Sequence, residues 1–285
     1  MTATPEDLYA AAFTRNFGVI SHAEQATLRQ ARVTVVGAGG VGGITLIQLA
    51  RMGIGSIHVI DVDVFEASNI NRQMLSSVSR LGQHKAAVAA EALHDINPDL
   101  QVRTSMVFVT EDNAEQLLAG SDVIVDATDN LVSRVIIHRA AVQLNTPSIW
   151  IAVTPPFRGG VMSLTPNSMP YEQVLRHPSL NKPLTQEVRA AINSLKDGRA
   201  AYAVTQGALP EWADGYLQRQ LAWAVLAPVA NIVGVLASFE AFKLILRRPG
   251  LDPVVGPKLI RINLAQERMV EAVVPEDGSW DNTQL

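Results

Sequence analysis

Short runs of β-branched and apolar residues alternate with stretches of helical spacing through the first half of the chain. Residues 33–36 form one such run and read as a buried strand. Residues 44–52 read as a helix and 56–60 as a second strand. A helix over 86–96, stopped by Asn97-Pro98, leads to a third strand at 101–107 and a short helix at 113–119. A fourth strand begins at 121 and leaves acids at its carboxyl end, before a helix at 134–144 and a fifth strand at 147–153. This alternation predicts an α/β fold: a Rossmann-like, mostly parallel sheet flanked by helices.

The pattern differs at the two ends. Residues 8–17 read as a helix ending at Gly18, and Ser21 with Glu24 forms a capping box for a second helix running to Gln30. Beyond Pro155-Pro156, residues 159–164 still read as a strand. Residues 166–220 are polar and broken by prolines and glycines, so they read as long loops around one helix at 185–195. Such a crossover segment suits a lid or a substrate-binding arm, with Tyr171, Arg176, Arg189, Lys196, Arg199, Tyr202 and Trp212 as contact residues, although most would be ordinary solvated side chains. Residues 224–247 form a long apolar helix. The uncharged run 221–239 approaches membrane-spanning length, but Pro228, Asn231, Gly234 and Ser238 interrupt it and Glu240 and Lys243 follow, which favours a buried core helix. Residues 258–263 and 268–274 alternate as an antiparallel hairpin, the C-terminal extension of the sheet, and 275–285 read as an acidic, mobile tail. One domain is expected, divided into an arm and nucleotide-binding core (1–165), a crossover segment (166–221), a long helix with hairpin (222–274) and the tail.

Composition narrows the function classes. The net charge of −4 and the 5% aromatic content give no basic or base-stacking surface, so nucleic acid is not the expected partner. There is no cysteine, which excludes disulfides, a thiolate zinc site and any thioester or persulfide relay on this chain. The first seven residues are acidic and lack a signal-peptide pattern, so a cytoplasmic enzyme with no membrane partner is expected.

The chemistry concentrates between residues 33 and 134. Gly37, Gly39, Gly40 and Gly42 follow the first strand directly and open a helix, whose N-terminal N–H groups and dipole suit a phosphate. Asp61, with Asp63 beside it, follows the second strand and is placed for a ribose. The loop Ser68-Asn69-Ile70-Asn71-Arg72-Gln73 is too polar for a core strand, and Arg72 can fork onto phosphate oxygens. Lys85 stands in the first turn of a helix, where a cation is disfavoured unless an anion sits nearby. Asp129 can meet magnesium carried on nucleotide phosphates, while Asp126 suits loop support and His84 a surface position. Arg15, near the N-terminus, reads on its own as a solvated side chain.

In this order the motifs resemble the ThiF/MoeB/ubiquitin-activating-enzyme superfamily of ATP-dependent adenylating enzymes, over roughly residues 13–243. The resemblance implies ATP and Mg2+ as cofactors. It places Gly40 at the α-phosphate, Asp61 at the ribose, and Ser68, Asn69, Ile70, Asn71 and Arg72 on the nucleotide. Gln73 would support that loop, Lys85 would neutralise developing charge, and Asp129 with Asn130 would lie beside magnesium and the leaving pyrophosphate. It also implies a homodimer in which Arg15 acts in trans, although Ala12 and Phe13 replace the usual arginine and tyrosine nearby. Family members with paired CxxC zinc motifs and a crossover cysteine differ from this chain, which has no cysteine and therefore no zinc site of that kind. It is similar instead to cysteine-free tailoring enzymes of the microcin and pantocin systems, which points to adenylation of a peptide carboxylate. The alternatives are a tRNA-base dehydratase-like enzyme, an NAD(P)-dependent oxidoreductase, and a non-catalytic binding scaffold.

Overall fold

A computed structural model describes residues 5–285. The chain opens with helices α1 (Pro5–Ala12) and α2 (His22–Gln30), then strand β1 (Arg32–Val36), α3 (Gly40–Met52) and β2 (Ser56–Ile60). Next come α4 (Lys85–Ile96), β3 (Gln101–Ser105), α5 (Ala114–Leu118), β4 (Val123–Asp126), α6 (Leu131–Gln143) and β5 (Ser148–Thr154). The second half holds β6 (Arg158–Leu164), α7 (Tyr171–Val174), α8 (Gln186–Thr205), α9 (Pro210–Leu217), α10 (Ala227–Leu246), β7 (Leu259–Asn263) and β8 (Val270–Val273).

One eight-stranded sheet runs in the order β3-β2-β1-β4-β5-β6-β7-β8. Strands β1 to β5 are parallel, and β6, β7 and β8 continue the sheet antiparallel. The strand order reverses between β1 and β4, so loops leaving their carboxyl ends diverge and open a crevice there. Alternation along the strands separates two cores. Val33, Val35, Val123 and Val125 pack with α3, α4 and α10, while Val36, Ile124 and Trp150 face α5, α6 and α8. Helix α10 is long and apolar enough to cross a membrane, but 56% of its most apolar window is buried, consistent with a core helix. It lies close against α3: a Cβ at Gly234 would come within 2.3 Å of Ile44 Cγ2 and 2.6 Å of the Val41 carbonyl oxygen.

Several boundaries move. The first helix ends at Ala12 and a 3-10 turn, Thr14–Asn16, follows. The Ser21 capping box is present, with Glu24 N–H donating to Ser21 Oγ at 3.2 Å and Ser21 N–H to Glu24 Oε2 at 2.8 Å. Strand β3 stops at Ser105, where its neighbour β2 also ends. Helix α6 starts three residues before Arg134 because Asn130 Oδ1 accepts the N–H groups of Val132 and Ser133, both at 3.0 Å.

The largest corrections concern the crossover segment and the tail. The segment expected as loops is mainly helical: α8 spans 20 residues rather than ending at 195, and α9 starts with a proline at its first turn. The tail, expected to be mobile, packs against the rest of the fold. Trp280 donates its backbone N–H to the Val174 carbonyl and its indole N–H to the Pro257 carbonyl, both at 2.7 Å, and Asn282 is only 2% exposed.

Candidate active site

The turn between β1 and α3 is built from glycines for steric reasons. Gly37 has φ +99°, and a Cβ there would lie 2.6 Å from the Ala127 carbonyl oxygen. A Cβ on Gly42 would lie 1.8 Å from the Gly37 carbonyl oxygen, closer than any side chain permits. The turn therefore coils back on itself and leaves the N-terminus of α3 open at the switch point. Beside it, Asp61 accepts the N–H of Ala38 at 2.7 Å and of Asp63 at 2.8 Å. Burial pushes the Asp61 carboxyl above its ordinary value despite those two donors.

Three charged groups converge on this turn. Arg72 packs its stem against Gly40, where a Cβ would meet Arg72 Cγ at 3.3 Å. Its guanidinium is aimed by Nη1–H bonds to the Ser68 carbonyl at 3.0 Å and Asn71 Oδ1 at 2.8 Å. Asn71 in turn donates to the Val225 carbonyl at 2.9 Å, and Asn69 Oδ1 accepts the Glu66 N–H at 3.1 Å. Lys85, 7% exposed at the start of α4, pairs with Asp63 Oδ2 at 3.0 Å. That carboxylate offsets the unfavourable placement of a cation at a helix N-terminus. Asp129 is exposed on the loop after β4. Its loop is held from beneath by the fully buried Asp126, which accepts the Thr128 N–H at 3.3 Å, and by Arg134, whose Nε–H donates to the Thr128 carbonyl at 3.0 Å. Asp126 also bonds His138 Nε2 at 3.1 Å.

These groups surround one cavity of about 330 Å³ over the carboxyl ends of the parallel strands. Gly37, Gly39, Gly40, Asp61, Asp63, Arg72, Gln73, Lys85, Asp129 and Asn130 all line it. Gly42, Ser68, Asn69, Ile70 and Asn71 do not; Gly42 closes the turn, and Ser68 and Asn71 reach the cavity through Arg72. Arg15 is exposed on the 3-10 turn and is not part of this lining. Of the crossover residues only Lys196 and Arg199 line the cavity, whereas Tyr171 is core, Arg176 pairs with Asp277 and Arg189 with Glu111. Sequence reasoning missed Arg134 as a cavity residue, and also Phe108 and Trp223. Trp223 is fixed by its indole N–H on the Val153 carbonyl at 3.0 Å, a contact without any local sequence signal.

A glycine turn at a switch point, an acid after the second strand and two cations beside an open helix N-terminus define a nucleotide-binding α/β protein. The chain belongs to the ThiF family, whose model matches residues 13–278. It is 32% identical to the sulfur carrier protein adenylyltransferase of Thermus thermophilus, over 78% of this chain and 72% of that one. The probable adenylyltransferase/sulfurtransferase MoeZ of Mycobacterium tuberculosis is 40% identical over 44% of this chain, and the match spans 32% of MoeZ. Among solved structures, E. coli MccB with AMPCPP and MccA superposes at a TM-score of 0.70 and 20% identity, covering 94% of this chain and 72% of that one. At that identity the likeness shows the fold.

Proposed function

We propose that this chain catalyses ATP- and Mg-dependent adenylation of a substrate carboxylate, releasing pyrophosphate and then AMP, with no cysteine thioester. One observation carries the reading: Gly40, Arg72, Lys85 and Asp129 border a single cavity at the N-terminus of α3. Two named adenylyltransferases among the relatives support it. A carboxylate and ATP repel each other in water. Here Arg72, Lys85 and the N–H groups of the turn offset that repulsion and stabilise charge gathering at the α-phosphate. A carboxylate oxygen attacks the α-phosphorus, the bond to the bridging oxygen breaks, and pyrophosphate leaves with the electron pair. The acyl adenylate then has AMP as a good leaving group for an external or intramolecular nucleophile. An oxidoreductase would use Asp61 and the glycine turn but would leave Arg72, Lys85 and Asp129 without a role.

Among the described residues no cluster of three or more histidines or carboxylates could hold a resident metal. A lone exposed carboxylate, Asp129, fits a magnesium ion that arrives on phosphates and keeps its waters. When bound, that ion supplies charge neutralisation on the phosphate oxygens.

The favoured substrate is a small peptide, as in natural-product tailoring. MccB, which shares this fold, is described as a microcin C7 biosynthetic enzyme in complex with N-formylated MccA. The protein is further read as a cytoplasmic homodimer in which Arg15, outside its own cavity lining, reaches the partner's site. Pyrophosphate exchange into ATP tests the reaction. Exchange that depends on a carboxylate-bearing peptide and disappears in Asp129→Ala is expected. Exchange unaffected by Asp129→Ala would remove that residue from the reaction.

A further inference from the structure

Most cations around the cavity already have partners. Arg72 is held by Ser68 and Asn71, and Lys85 by Asp63. Arg134 donates to the Thr128 and Ile151 carbonyls, and Arg199 to the Asn282 carbonyl at 2.9 Å and to Asn282 Oδ1. Lys196 is different. It lines the same cavity from α8, three residues before Arg199, and its ammonium makes no hydrogen bond or salt bridge with a described residue. Its charged neighbours act at longer range: Asp129, Arg134 and Arg199. Burial pulls its pKa below the ordinary lysine value, and the Asp129 carboxylate offsets only part of that. A half-buried ammonium whose carboxylate neighbour acts only at longer range is stabilised by an anion bound directly beside it.

The position of Lys196 selects the anion. Asp61 follows β2 and the glycine turn follows β1, so the adenylation reading assigns ribose and α-phosphate to the β2–β1 side of the crevice. Asp129 and Arg134 follow β4, next to β5, on the opposite side. Asp129 meets the phosphate-borne magnesium there in the adenylation reading, and the space beyond it, between α8 and the Ile151 and Val153 end of β5, remains for the second reactant.

Helix α8 is fixed there by the tail. A Cβ at Gly198 would lie 2.8 Å from Thr283 Cγ2, so the helix and the tail are in close contact there. Asn282 is 2% exposed and takes both Arg199 bonds, and Trp280 is tied to the Pro257 and Val174 carbonyls. We propose that Lys196 binds the substrate carboxylate ahead of adenylation, and that the Arg199–Asn282 latch between α8 and the C-terminal tail positions it. This rests on the adenylation reading and adds the residue that recognises the acid, with Asn282 as a positioning residue.

The test uses the full chain and acetate, the smallest carboxylate, so no natural substrate is needed. Lys196 is acylated with an amine-reactive ester and its modification read by peptide mass spectrometry, with magnesium and the α,β-methylene analogue of ATP present. Acetate is expected to protect Lys196 while uncharged acetamide does not. In Asn282→Ala, or Asn282→Ser if the alanine variant melts early, half-protection should need about tenfold more acetate with analogue affinity unchanged. Full protection by the analogue alone would assign Lys196 to the nucleotide and overturn the proposal, as would equal protection by acetate and acetamide. An unshifted Asn282 variant would remove the latch. If calorimetry shows no analogue binding while acetate still protects, the adenylation reading fails and the carboxylate site stands.

Discussion

Gly42 shows how little freedom single positions around the turn possess. Its missing Cβ would overlap the Gly37 carbonyl oxygen at 1.8 Å, against backbone that cannot move aside. Gly42→Ala should therefore cost about 1–3 kcal/mol or more in unfolding free energy, read from the denaturant midpoint. An unchanged midpoint would mean the turn is looser than described. Arg72 and Lys85 have the opposite profile. Arg72 is aimed by two acceptors of its own loop, and Asp63, which pairs with Lys85, is itself well exposed. Replacing Arg72 with alanine should leave the melting temperature nearly unchanged, because bonds open to solvent contribute little to stability, whereas replacing Lys85, whose stem is buried, should lower it modestly. Each replacement should nonetheless lower kcat/KM for adenylation about a hundredfold or more, the scale expected for removing a donor from developing charge. These residues were legible because motif and neighbours lie together in the chain. Lys196 was only one of seven contact residues in the crossover segment, since nothing local marks which face of α8 meets the cavity.

Packing of α10 on α3 links the most apolar helix to the nucleotide turn. Gly234 lets the helices touch, and a Cβ there would press on Ile44 Cγ2 at 2.3 Å and the Val41 carbonyl at 2.6 Å, one turn into α3. Gly234→Ala should lower both thermal stability and nucleotide affinity, because relief requires α3 to shift and α3 carries the phosphate end. A loss of stability without any change in affinity would separate the two. The parallel half of the sheet was readable in sequence because β1, β2, β4 and β5 carry buried apolar residues on both faces, whereas the edge strand β3 is largely exposed. Helix α8 was not, since Gly198 resembles a breaker. It is tolerated mid-helix because the tail packs over it at Thr283. The tail misled for a related reason. Its acids suggest solvation, but Trp280, Asn282 and Leu285 anchor it between α8, β7 and the second core.

Across the fold, two histidines tie stability to pH. Burial holds His58 at about 4, and its ring bonds Ser105 Oγ at 2.8 Å and the Leu117 carbonyl at 3.1 Å. Burial, with Arg199 next, holds His177 at about 3. Both are lowered from 6.5, so below that pH the unfolded chain binds protons that the folded chain refuses. Stability from these sites is full above the unfolded value and is lost as pH falls toward the folded ones. Denaturant midpoints should thus rise with pH between about 4.5 and 6.5, and His58→Gln should flatten the rise. A flat wild-type profile would contradict the buried neutral state. The central claim concerns the cavity, where fixed positive potential lets two anions react at phosphorus. A crystal structure with bound Mg-ATP addresses it most directly. The expected result places the α-phosphate on the N–H groups of the Gly40 turn, within reach of the Arg72 guanidinium, with magnesium facing Asp129. A triphosphate lying elsewhere, with Arg72 and Lys85 pointing away from it, would contradict the account.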